Sequence, residues 1–106
     1  MNPPTIDLEK ARRENIRWLL LQTLNSARPV GASESVMHSA ITAVLPDITI
    51  RELRIALEYL ESRDLLEISG KGSQPLWFAK LTRHGIDLVE YTIDCEPGIA
   101  RPQKYW

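Results

Sequence analysis

The chain has 106 residues, enough for one domain with a core and too few for two. Apolar residues make up 43 % and charged residues 25 %, an ordinary globular mix whose apolar runs are all far too short to cross a membrane. The 13 basic and 14 acidic side chains leave a net charge of −1, which argues against tight non-specific nucleic-acid binding, and the single cysteine, Cys95, excludes an internal disulfide or a thiolate metal cluster.

The charge is unevenly spread. Residues 1–28 carry Lys10, Arg12, Arg13, Arg17 and Arg28 against Asp7, Glu9 and Glu14, whereas residues 64–96 are predominantly acidic. No apolar stretch follows the early positive charges, so no signal peptide is expected, and a lone thiol suits a reducing cytoplasm.

Asn2-Pro3-Pro4 is an extended lead-in, because proline fixes its own dihedral and disfavours helix in the residue before it. Thr5 or Asp7 then caps a first helix running to about Ser26. Its second half is apolar nearly all round, through Ile16, Trp18, Leu19, Leu20, Leu21 and Leu24, so it must bury two faces. One face belongs to the core. The other is expected to meet a second copy of the chain, the alternative cover being the C-terminal helix of the same chain. Arg28-Pro29-Val30-Gly31 ends the helix. A second helix starts at Ser33 or Ser35 and runs to about Val44, with Val36, Ala40, Ile41 and Val44 as its expected inner stripe, and Pro46 stops it.

The stretch Thr49–Arg63 carries the strongest local signal. Thr49 and Glu52 form a T-x-x-E capping box, in which each side chain satisfies the other's free backbone donor. Behind it, Ile50, Leu53, Ala56, Leu57 and Leu60 fall on one helical face, and Arg51, Ile55, Glu58 and Ser62 fall on the opposite one, with Arg54 and Tyr59 at the margins. Two short strands follow. Leu66 and Ile68 alternate inward with Trp77, Ala79 and Leu81 across the turn Gly70–Pro75, leaving Phe78 and Lys80 outward. Thr82 caps a last helix to about Thr92. From Glu96 the prolines and glycine of EPGIARPQKYW rule out a regular helix. The expected architecture is mainly α with a small β-hairpin (α+β), ordered helix-helix-helix-hairpin-helix: one domain over residues 1–95 and an extended tail over 96–106.

This order, together with L-T-R-H-G at Leu81–Gly85, resembles the winged helix-turn-helix domains of small transcription regulators, over roughly Ile16 to Tyr91. A narrower resemblance joins L-T-x-x-G-x-D at Leu81–Asp87, P-G-I-x-R-P at Pro97–Pro102, R-x-x-L-x-x-L at Arg54–Leu60 and the following D-L-L-E-I. These are similar to a small, largely uncharacterised family of winged-helix proteins encoded in Mu-like phages and prophages. The resemblance implies a fold and an origin in the cytoplasm of a bacterial host, and almost no mechanism.

By analogy with winged helices, the helix from Thr49 is the recognition helix and double-stranded DNA the expected partner. Arg51 and Arg54 stand near its N-terminal end, where base and phosphate contacts originate. Ile55 offers an apolar contact to a thymine methyl, and the Thr49 hydroxyl and Lys71 at the wing tip offer backbone contacts. Against this, Arg51, Arg54 and Arg63 are balanced by Glu52, Glu58 and Glu61 on the same helix. The alternative is a protein-interaction module, binding a phage or host protein through Ile55, Tyr59 and Phe78, with Trp18, Tyr105 and Trp106 as further interface residues and a homodimer through the first helix and C-terminal segment. A continuous basic stripe across helix and wing favours DNA; an apolar patch interrupted by glutamate favours protein. Arg101, Lys104, Tyr105 and Trp106 would sit on a flexible arm able to enter a groove or dock on protein. Catalysis has little support: His38 and His84 lack partners at metal-ligand spacing, Cys95 lacks an activating neighbour, and Gly70-x-Gly72 is a turn rather than a phosphate loop. No enzyme activity, metal or cofactor is expected.

Overall fold

A computed structural model describes residues 6–72 and 75–104. Four helices and a three-stranded antiparallel sheet follow in the order α1 (Leu8–Ser26), β1 (Ala32–Ser33), α2 (Glu34–Thr42), α3 (Ile50–Ser62), β2 (Leu66–Ser69), β3 (Phe78–Leu81) and α4 (Arg83–Val89). Asn2, Pro3, Pro4 and Thr5 lie outside the described residues, as do Tyr105 and Trp106, so the expectations placed on them have no structural counterpart here.

Each helix starts where a side-chain oxygen accepts a free backbone N–H of its first turn: Asp7 from Lys10, Ser33 from Val36, Thr49 from Glu52 and Thr82 from Gly85. On α3 the full reciprocal box is present. α3 ends through Asp64, which takes a left-handed conformation (φ 62°) and turns the chain into β2. The hairpin pairs Leu66 with Leu81 and Ile68 with Ala79, so the expected inward set does face the core.

β3 is the central strand, in the order β1-β3-β2. The third strand, β1, is only two residues long and pairs Ala32 with Ala79 and Ser33 with Phe78. It is held by close backbone approach at Gly31 (φ +94°), where a Cβ would run into the Ala79 carbonyl and the Lys80 side chain. This strand ties the α1–α2 connection to the hairpin.

A single apolar cluster fills the interior: Leu20, Leu21 and Leu24 of α1, Met37 and Ile41 of α2, Leu53, Leu57 and Leu60 of α3, Leu65 and Leu66 before and within β2, and Leu88 of α4. The expected inner stripe of α2 is corrected. Val36, Ala40 and Val44 face solvent, and Glu34, Met37 and Ile41 point inward. The physical reason is a rival apolar row, Met37 and Ile41, on the helical face that also carries Glu34 to its partner Arg54.

The two-faced burial of α1 is satisfied within the chain. Trp18 is 6 % exposed and meets Tyr91 edge-on, with ring centroids 6.5 Å apart, and α1 packs against α4 as well as α2 and α3. The expected second copy therefore does not have this face to occupy. The segment from residue 96, expected as an extended tail, has irregular backbone and is docked on the helices. Ile99 is buried in the same core, the Ala100 N–H donates to the Glu14 carbonyl at 3.1 Å, and Arg17 Nη1 donates to the Gly98 carbonyl at 2.9 Å. Arg101 is no free arm residue: its Nη1 donates to the Leu88 and Ile93 carbonyls at 2.8 and 2.9 Å. Through residue 102, where the Pro102 carbonyl accepts from Tyr91 Oη at 2.7 Å, the tail is a strap on α1 and α4.

Candidate functional site: the outer face of α3 and the hairpin

Thr49, Arg51, Arg54, Ile55 and Lys71 were all expected at one surface, and the structure gives each a different circumstance. The Thr49 hydroxyl accepts the Glu52 N–H at 3.1 Å, so capping takes it. Glu52 is in turn gripped from α1: Arg12 donates to both of its oxygens, at 2.8 and 3.2 Å, and to Asp47 at 3.1 Å. The Arg12 hydrogen bond holds the Glu52 carboxyl below its ordinary range, with the Thr49 N–H adding to the effect, while partial burial opposes it. The N-terminus of α3 is thus locked to α1.

Arg54 points to the hairpin side, where its Nε and Nη2 form a bidentate pair with Glu34, the latter at 2.9 Å. Glu34 is 1 % exposed and is the only buried charged side chain among the described residues. Its N–H also donates to the Trp77 carbonyl at 2.8 Å. The Arg54 guanidinium lies 4.6 Å from the centre of the Trp77 ring. That hydrogen bond to Glu34 raises the Arg54 pKa further. Arg54 thereby neutralises a buried carboxylate and fastens α3 to α2 and β3, instead of standing free for phosphate.

Lys71 is occupied in the same manner. Its Nζ donates to Glu61 at 2.7 Å and lies 5.4 Å from the Trp77 ring. Glu61 also accepts the Ile68 N–H at 3.1 Å, and the lysine holds its carboxyl below the ordinary range. Of the expected DNA-contacting cations, Arg51 alone is exposed without a partner among the described residues. One turn pair along the same face stands Glu58, also exposed and also unpartnered among them.

The expected apolar patch of Ile55, Tyr59 and Phe78 is not assembled. Tyr59 lies under Arg17, 3.6 Å from its ring centre, on the α1 side. Phe78 packs over Gly31 at the β1 edge. Instead, Ile50, Ile55 and Trp77 line a surface depression of about 450 Å³ together with Arg51, Arg54 and Glu58. Ile55 is 52 % exposed and stands as a ridge; on its other side a groove of about 480 Å³ runs between α1 and α3 over Ile16 and Ala56. Ile50 and Trp77 are site residues that the sequence pattern placed on inward faces, and Glu34 is one that it did not single out. Ile50 falls on the inward stripe but sits in the first turn, where the helix end opens to solvent.

Of the other reactive groups, His84 is exposed, and His38 and Cys95 are engaged structurally. His38 Nε2 bonds the Ile48 carbonyl at 2.9 Å and braces the α2–α3 turn. Burial pushes the Cys95 thiol above its ordinary range, where it is a poorer nucleophile. Among the described residues no group of three or more His, Cys, Asp or Glu converges as a metal site, and no helix is long and apolar enough to cross a membrane. Comparison with protein-family models, with curated proteins and with solved structures returns no match to this chain.

Proposed function

We propose that this chain is a winged-helix module of phage or prophage origin whose α3–hairpin face binds protein rather than DNA. The winged-helix reading is supported by the order of elements, by the short α2–α3 turn and by β1 pairing across the hairpin that follows α3. The phage origin rests on the motifs at Arg54–Leu60, Leu81–Asp87 and Pro97–Pro102.

The observation that carries the choice of partner is the pairing of Arg54 with buried Glu34. With Lys71 held by Glu61, the face keeps one exposed arginine, Arg51, against one exposed glutamate, Glu58. DNA binding draws its affinity from net neutralisation of phosphates, and a face that sums to zero has little to contribute. An apolar depression beside an exposed isoleucine ridge is the composition of a protein interface core.

DNA remains the second reading because Arg51 occupies the first turn of α3, the position from which winged helices reach a groove. The deciding experiment titrates a mixed pool of labelled duplex DNA with the native protein and with Arg51→Ala at low and moderate salt. The protein-binding reading expects no salt-dependent complex in either case. Binding that weakens with salt and drops in Arg51→Ala would restore the DNA reading.

A further inference from the structure

We infer that the partner of this face is a second copy of the chain, with the two α3 helices antiparallel about a two-fold axis beside Ile55; this rests on the protein-binding reading above. In an isologous contact the same patch serves both sides, so a residue and its partner must both lie on that patch. Around a two-fold axis between antiparallel helices, each position faces the position equally far beyond the axis. Arg51 and Glu58 are seven residues apart, two turns of one helical face, and the point midway between them falls at Arg54 and Ile55. An axis there sets Arg51 of each protomer against Glu58 of the other. One contact then makes two ion pairs, from two exposed charges of the α3 outer face that have no partner among the described residues.

Shape agrees with charge. Ile55 borders both hollows of this surface, the depression against the hairpin and the groove against α1. A knob set beside a hollow on one patch is what self-complementarity requires, because the two-fold presents each knob to the other protomer's hollow. Of the neighbouring charges, Arg54 is tied to Glu34 and Arg12 to Glu52 and Asp47, while Glu9 and Arg13 line the α1 side of the groove. The exposed side chain of Ile50 flanks the contact and loses water when it forms. DNA does not fit this arrangement, since Glu58 would face phosphate, and an unrelated protein has no need of the seven-residue spacing. Thirteen residues of helix span only about 20 Å. A contact of that length is smaller than the roughly 1,600 Å² of a standard interface, so the pairing is weak and concentration-dependent.

Sedimentation equilibrium over micromolar to millimolar protein tests this. The native chain shows a monomer–dimer equilibrium. R51E sets like charges together at both contacts and weakens the dimer roughly tenfold, and E58R does the same. The double variant R51E/E58R exchanges the signs and restores the native constant, as does mixing the two single variants, and restoration also excludes misfolding as the cause of the losses. A native chain that stays monomeric throughout, or a constant indifferent to the single substitutions, overturns the self-pairing. If the DNA pool is also left unbound, the protein-binding reading stands and a different partner is implied. If DNA is bound at low salt, that reading fails by its own test.

Discussion

In the seam between α1 and residues 91–102, arginines donate to carbonyls: Arg17 to Gly98, and Arg101 to Leu88 and Ile93. On the α3–hairpin face, basic side chains donate to carboxylates: Arg54 to Glu34 and Lys71 to Glu61. Both regions stack their cations on aromatic rings, Arg17 on Tyr59 and Arg101 on Tyr91 in the seam, Arg54 and Lys71 on Trp77 at the face. The outcome differs because a carbonyl accepts a hydrogen bond without cancelling charge, whereas a carboxylate cancels it. The seam is fastened without cancelling the charge of Arg17 or Arg101, and at its edge Arg63 pairs with Glu96. The face is fastened and becomes neutral, which leaves its apolar residues to define what it binds.

The largest effect expected from breaking this contrast lies in the seam. Ile99→Ala truncates a tail side chain buried in the core, and a buried Ile→Ala change costs about 2–5 kcal/mol. Urea unfolding should show that loss, and limited proteolysis should cut within residues 96–102 in the variant before it cuts the native chain. A variant as stable and as resistant as the native protein would return the tail to the status of a free arm.

On the face, Arg54→Met and Arg51→Met separate two arginines three residues apart. Arg54→Met strands the Glu34 carboxylate in the interior without its counter-charge, and its thermal midpoint should fall clearly. Solvent at the outer edge of Arg54 screens the pair, so the fall should be smaller than for Ile99→Ala. Arg51→Met should leave the midpoint unchanged. Equal midpoints for the two variants would remove the structural role given to Arg54.

The smallest effect is with pH. Glu52 and Glu61 have carboxyls lowered by Arg12 and Lys71, so their contribution is complete above the ordinary carboxylate range and is lost as pH falls through their lowered values. Stability should therefore decline on acidification below the ordinary carboxylate pKa, and the double variant Glu52→Gln/Glu61→Gln should show a shallower decline. An unchanged slope in that variant would assign the acid sensitivity to other carboxylates.

Much of the fold was legible because local chemistry and periodicity agree in α3, the hairpin and the Thr82 cap. Three features were not. β1 is two residues long, too short for any alternation to register. α2 carries two rival apolar rows, Val36–Ala40–Val44 and Met37–Ile41, and only the partner of Glu34, twenty residues away, decides between them. The tail holds its anchor, Ile99, between a glycine and prolines that mark irregular backbone, and irregular backbone says nothing about docking. At the site, helical periodicity placed Arg51 and Ile55 on the outer face, but no pattern reports that an arginine has already found a buried acid.

Glu61 has a consequence for how the molecule behaves at high concentration. β2 is one of the two outer strands of the sheet, and its Ile68 N–H would ordinarily be an open invitation for another chain to extend the sheet. The Glu61 carboxylate takes that donor, and Lys71 then covers the carboxylate. A strand arriving at this edge would have to displace an acid from both partners before making its first ladder bond. The β2 edge is thereby guarded against extension of the sheet by another chain.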